Sequence, residues 1–246
     1  MSGLFRGALI VVVLGACVAP TNAVILYRSA TRNTTAPTGE FANSGWQYEG
    51  IWGTFTGTPI APKYLISAAH LGGSSTLTLN SVVYHVDTTW NSGAGTPGWI
   101  DDPNSDLRIW KIQETFPSSV IAPLYDDSVD GVDVGKTAVI YGRGTQRGGE
   151  VRPDTVTGSN GDPPGYPGQG GGPGPKTSEL KGWLWGPLDG LMSWGTNITS
   201  GVYDAGMNYG ELLYYDFNRV GLFDESALSD HDSGGGLFIK SGSTWK

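Results

Sequence analysis

A second cysteine is missing: Cys17 is the only one in 246 residues. No disulfide can form within the chain, so its fold must rest on core packing, which is feasible at this length. Charge is scarce as well. Only 15% of the residues are charged, and Glu and Lys are few, which excludes a helical bundle or a coiled coil. No cluster of Lys and Arg occurs, and the formal net charge is −8. Counterion release from a phosphate backbone requires such a cluster, so no nucleic-acid partner is expected. Apolar runs are short. None reaches the roughly 18 residues that cross a bilayer, so no transmembrane helix is expected. What is abundant is Gly, at 39 residues, with Thr, Ser, 9 Trp and 11 Tyr. These are residues of short strands and tight turns, and they predict an all-β fold.

Residues 1–23 read as an export signal. Arg6 supplies a positive start, Ala8 to Val13 begin an apolar run that continues to Ala19, and Thr21-Asn22-Ala23 offers a small-residue cleavage site. Cleavage there makes Val24 the mature N-terminus of a secreted or cell-envelope protein. Leu14-Gly15-Ala16-Cys17 gives a lesser alternative, a lipoprotein box with Cys17 as the lipidated residue. Export without disulfides points to a bacterial source.

Along the mature chain, short apolar bursts are punctuated by Gly and Pro. Strands are expected between Gly45 and Ile66, and Leu77 to Leu79 and Val82 to Val86 form a hairpin about Asn80-Ser81. Further strands are expected over Leu107 to Ile112, Thr137 to Tyr141, Gly182 to Trp185, Leu212 to Tyr215 and Gly236 to Ile239. Residues 158–176 contain eight Gly and five Pro and almost no large apolar side chain, which predicts a flexible insertion. Two β-rich halves result, residues 24–125 and 126–246.

Three residues could carry chemistry. His70 closes the run Ile60 to His70, where a strand enters a turn of small residues. Asp106 precedes an alternating strand, and Ser233 lies in His231-Asp232-Ser233-Gly234-Gly235-Gly236. Each has a plainer reading alone: a histidine held by turn carbonyls, turn chemistry, and a flexible glycine turn. Asp102, Asn104 and Asp106 alternate as in a calcium loop, but Leu107 and Gln113 stand where that loop needs Gly and Glu. No metal or organic cofactor is expected. In combination the three gain weight, because serine attack on a carbonyl needs a base for the hydroxyl proton and a carboxylate to orient that base.

With His, Asp and Ser in this order, the sequence resembles the chymotrypsin/trypsin-like serine proteases. Ser67-Ala68-Ala69-His70 is similar to the family's (T/S)AAH motif. Asp106-Leu107 is similar to its aspartate segment, Asp232-Ser233-Gly234-Gly235 to the end of GDSGG, and Ile140 to Gly144 to its GWG turn. The resemblance implies two six-stranded antiparallel β-barrels, the first carrying His70 and Asp106 and the second Ser233. It implies a protein or peptide substrate, and a triad in which Ser233 attacks, His70 serves as base and Asp106 fixes its tautomer. It further implies an oxyanion hole of the His231 and Ser233 N–H groups, and a freed Val24 N-terminus paired with Asp232.

Some positions depart from the family. His231 stands where a Gly is usual, and Ala227 where trypsin-like members carry the Asp that selects basic side chains. Only 13 residues follow Ser233, so the second barrel is expected to be truncated. Alternatives to an active endopeptidase are a catalytically inactive binding or surface module of the same fold, and, from the Trp and Tyr content alone, a carbohydrate-binding β-protein.

Overall fold

The computed structural model describes residues 24–125, 133–152, 180–206 and 209–246. The export-signal segment 1–23, with Cys17, and the Gly/Pro-rich stretch 158–176 lie outside the described residues. Strands run in chain order as β1 (Ile25–Leu26), β2 (Gly50–Trp52), β3 (Phe55–Ala61), β4 (Tyr64–Ala68), β5 (Thr76–Leu79), β6 (Val82–His85), β7 (Trp99–Asp101) and β8 (Leu107–Lys111). They continue as β9 (Thr137–Gly142), β10 (Thr145–Val151), β11 (Gly182–Leu188), β12 (Ser193–Asp204), β13 (Glu211–Tyr215), β14 (Ser226–Ala227), β15 (Leu237–Ser241) and β16 (Thr244–Trp245). Helix among the described residues is confined to short 3-10 turns, so the fold is all-β.

The first large sheet has the order β6-β5-β2-β3-β4-β8-β7, with every pair antiparallel. Its hairpin β5–β6 turns at Asn80 and Ser81, both with positive φ (49° and 64°). Two such residues in succession match the right-handed twist of the flanking strands. Beyond β6, Val86 bridges to Ile112, the Asp87 N–H donates to the Lys111 carbonyl and the Gln113 N–H to the His85 carbonyl. These bonds bring β6 onto the end of β8, so the sheet curls back on itself. The enclosed core contains Trp52, Leu65, Leu77, Tyr84, Ile112 and Phe116.

The second large sheet has the order β13-β12-β9-β15-β16 around its own core of Val139, Tyr141, Trp194, Phe238 and Trp245. Two small antiparallel pairs, β10–β11 and β1–β14, complete the pairing. The large sheets thus hold seven and five strands. Hydrogen-bonded pairing alone does not delineate six and six, because three-residue β7 adds an edge to the first sheet and the second ends at two-residue β16. No helix among the described residues is long and apolar enough to cross a membrane.

The β1–β14 pair fixes the chain's N-terminal segment. Ile25 pairs with Ala227 and Leu26 with Ser226, and Val24, Ile25 and Leu26 are all buried. Further along, Tyr27 packs edge-on against Trp183 and Phe217, and Trp194 Nε1 donates to the Thr35 carbonyl at 2.8 Å. Residues 24–35 therefore form an integral part of the second half of the molecule.

Candidate active site

His70 sits in a 3-10 turn, Ala69–Leu71, entered directly from β4 and ended by Gly72 at φ +74°. A left-handed residue there reverses the chain without steric cost when it has no Cβ. Asp106 lies just before β8, the strand paired with β4, so the two residues meet across one ladder. The Ala69 N–H donates to the Asp106 carbonyl at 3.0 Å, and the His70 N–H to Asp106 Oδ1 at 2.9 Å. Asp106 Oδ2 is 2.5 Å from His70 Nδ1. A carboxylate only accepts, so Nδ1 carries the hydrogen and Nε2 is left as an acceptor. Nε2 lies 3.1 Å from Ser233 Oγ. The imidazole side chain is 54% exposed, so a substrate has access to this contact.

Arg108, missed in the sequence, clamps the histidine turn. Its guanidinium stacks on the Trp99 ring at 3.6 Å and donates from Nε to Asp101 Oδ1 at 2.6 Å and from Nη2 to Asp101 Oδ2 at 3.1 Å. Nη1 donates to the Gly72 carbonyl at 2.6 Å. Fixed planar donors make this a geometrically exacting grip.

Ser233 stands on a turn closed by the Gly235 N–H donating to the Asp232 carbonyl at 3.0 Å. The glycines that follow do more than permit the turn. A Cβ on Gly234 would lie 2.4 Å from the Thr56 carbonyl oxygen, one on Gly235 2.0 Å from that of Tyr141, and one on Gly236 2.3 Å from Glu49 Oε1. Each contact is shorter than van der Waals packing allows, so the loop is wedged between the two sheets. Ser67, whose hydroxyl donates to the Thr56 carbonyl at 2.9 Å, backs the same junction.

Asp232 points away from the cleft and is 3% exposed. Its Oδ1 accepts from the Gly144 N–H at 2.7 Å; its Oδ2 accepts from the Ser229 N–H at 2.6 Å, the Ser229 hydroxyl at 2.9 Å and the Val24 N–H at 3.3 Å. Burial pushes its carboxyl up to about 6, against the pull of these donors. Gly142 makes room for it, since a Cβ there would sit 2.0 Å from Oδ1.

His231 adopts φ +71°, a conformation that glycine takes freely and other residues rarely do. Its ring stacks on Phe55 with centroids 5.8 Å apart and planes inclined by 6°. Its Nδ1 is buried 3.2 Å from Asp230 Oδ2, without hydrogen-bond geometry. Among the described residues, neither the His231 nor the Ser233 backbone N–H donates a hydrogen bond.

The remaining positions singled out in the sequence fall elsewhere. Asp102 serves its own turn, accepting from the Asn104 N–H and the Ser105 hydroxyl, while the Asp106 carboxylate faces His70 and not that loop. No group of three or more His, Cys, Asp or Glu side chains able to hold a metal occurs among the described residues. Ala227 lies in β14, occupied by its pairing with Ile25. Glu49, which has no local signal in Trp46-Gln47-Tyr48-Glu49, proves to be buried under the Ser233 loop.

No family model matches the sequence, and no curated protein is similar to it in sequence. Among solved structures, the chain is similar to the Rv3671c protease in its inactive form, with 14% identity and a TM-score of 0.40 over 83% of this chain and 80% of that one. It is also similar to a serine-to-alanine mutant of Rv3671c from M. tuberculosis H37Rv, with 13% identity and a TM-score of 0.39 over 84% and 78% of the two chains.

Proposed function

We propose that the chain is an exported serine endopeptidase of the trypsin-like, two-barrel type. Its first barrel would be drawn from residues 24–125 and its second from residues 126–246, with the segment 24–35 crossing over to pack on the second. The observation that carries this reading is the continuous line of contacts Asp106–His70–Ser233, from two strand ends of one sheet to a loop of the other. Such a line does what peptide hydrolysis requires. Ser233 Oγ bonds to the scissile carbonyl carbon while its proton passes to His70 Nε2. The carbonyl oxygen becomes an anion held by the Ser233 and His231 N–H groups. Collapse of that intermediate breaks the C–N bond, and Nε2 returns the proton to the leaving amine. Water repeats the sequence on the acyl-enzyme. Asp106 holds the tautomer and offsets the imidazolium charge throughout.

Export fits the same reading. Signal cleavage after Ala23 turns the Val24 amide into an ammonium at Asp232, a carboxylate adjacent to the nucleophile. An ion pair there is favourable because an uncompensated charge at a buried site is costly. Removal of the signal thereby becomes the activating step. Retention of residues upstream of Val24 should slow labelling of Ser233, and equal rates in both forms would remove this step from the proposal.

One observation favours a second reading, a catalytically inactive module of the same fold. His231 brings a side chain to a left-handed position beside the nucleophile, where the resembled family has glycine. A serine-directed organophosphonate separates the two. An active enzyme is labelled at Ser233 and hydrolyses peptides; a silent module does neither.

A further inference from the structure

We infer that Glu49 is a positioning residue for the Ser233 loop, acting through Gly236; the inference rests on Ser233 being the nucleophile. Glu49 follows the 3-10 turn Trp46–Tyr48 and is only 5% exposed. A carboxyl group is seldom buried, and when it is, both oxygens are ordinarily partnered. Here the partnering is uneven. Oε1 accepts the Thr58 hydroxyl of β3 at 2.9 Å and lies against Gly236, close enough to exclude any Cβ. Oε2 is buried with no hydrogen-bond partner.

A purely architectural role needs no acid at this place. Thr58 requires only an acceptor, which a glutamine amide supplies, and an apolar pair would avoid the orphan oxygen altogether. What the carboxyl adds is a charge-assisted acceptor at the end of the nucleophile loop. The Tyr141 N–H donates to the Gly236 carbonyl at 3.0 Å on one side; on the other, Gly236 lies against Glu49 Oε1, and its N–H favours the ionised carboxylate. With Gly236 fixed and the Asp232–Gly235 turn closed, the backbone that carries Ser233 is held on both sides of the turn.

Among the described residues, Tyr141 on β9 is an ionisable group that feels the Glu49 charge; its hydroxyl is engaged by Ser44 at 2.7 Å, and burial pushes its titration far up. Thr58 and Gly236 do not ionise. Burial raises the Glu49 carboxyl to about 7, with Thr58 and Gly236 pulling against it. The grip on Gly236 therefore tightens as pH rises through neutrality.

The test follows the backbone amides of Gly236 and Ser233 by NMR in the chain from Val24 onward, between pH 5.5 and 8.5, beside Ser233 labelling by an organophosphonate. The Gly236 amide should titrate near pH 7 in the unaltered protein, and that titration should vanish in Glu49→Gln. Labelling at pH 8 should slow about tenfold in that variant, with peptide KM little changed. A Gly236 amide that is flat with pH, or one that titrates equally in Glu49→Gln, overturns the inference. Should Glu49→Gln fail to fold, Thr58→Val keeps the question open to test. Loss of that hydroxyl must move the Gly236 midpoint upward, and an unmoved midpoint is a refutation. A Gly236 titration without any labelling of Ser233 overturns the proposed function and leaves the Glu49–Gly236 linkage standing.

Discussion

Gly235 rests against the carbonyl oxygen of Tyr141 so closely that a methyl group on it would lie 2.0 Å away. Tyr141 belongs to β9, is paired with Trp194 of β12 and donates its N–H to the Gly236 carbonyl, so it cannot retreat. Gly235→Ala should cost about 2–3 kcal/mol in urea unfolding. Gly149, where an added Cβ meets nothing within 4 Å, is the control. Its alanine variant should be stabilised by about 0.5 kcal/mol. Equal effects at the two sites would contradict the wedge.

Ser233→Ala and His70→Ala should each lower kcat for peptide hydrolysis by a factor on the order of 10⁵, and the double variant by little more. Groups that act as one unit lose their shared function once. Asp106→Asn should cost about 10⁴, because an amide presents Nδ1 with the wrong partner. Multiplicative losses in the double variant, measured by kcat, would argue against a common mechanism.

His231→Gly should fold and retain equal or higher activity. A non-glycine residue in the left-handed region costs about 1–2 kcal/mol, and the stack on Phe55 returns about 0.5–1.5 kcal/mol of that. The variant should therefore sit within about 1 kcal/mol of the parent. Phe55→Ala removes the stack and relieves nothing, so it should be the more destabilised of the two by thermal unfolding. A large loss of kcat in a well-folded His231→Gly protein would give the imidazole a function of its own.

Stability should fall as pH rises from about 4 to about 8. Glu49 and Asp232 both have folded-state carboxyl values raised by burial, to about 7 and about 6. A raised value means that the folded state binds more protons than the unfolded chain, so the contribution is full in acid and is lost as pH passes through the folded value. Together the two groups should cost on the order of a few kcal/mol across this window. Urea midpoints measured at pH 5 and pH 8 check it. Glu49→Gln should flatten the upper part of the slope, and a freed Val24 ammonium should flatten the lower part.

Local chemistry made part of this legible from sequence. Asn80-Ser81 between alternating segments gave the β5–β6 hairpin, and the runs at Leu107 and Thr137 gave β8 and β9. His70, Asp106 and Ser233 each had a plainer reading alone and stood out together, because a serine nucleophile needs both a base and a carboxylate to orient it. What local pattern could not reveal was partnering over distance. β1 and β14 are two residues each and exist only because they pair with one another. β10 reads as Gly-broken loop until β11 lies beside it. Glu49 and Arg108 look like surface residues of a strand protein. Their roles come from what folds against them: Gly236 of a remote loop in one case, the Trp99 ring and the Gly72 carbonyl in the other.

The two buried carboxyls also bear on how a peptidase of this design would survive its own activity. Self-digestion depends on two quantities multiplied together, the fraction of chains unfolded and the activity of those that remain folded. In mild acid Glu49 and Asp232 keep their protons and the unfolded fraction is smallest, while an uncharged Glu49 holds Gly236, and with it the Ser233 loop, least firmly. Victim and attacker are scarce together. Toward alkaline pH both increase, so autolysis should climb more steeply with pH than hydrolysis of an added peptide.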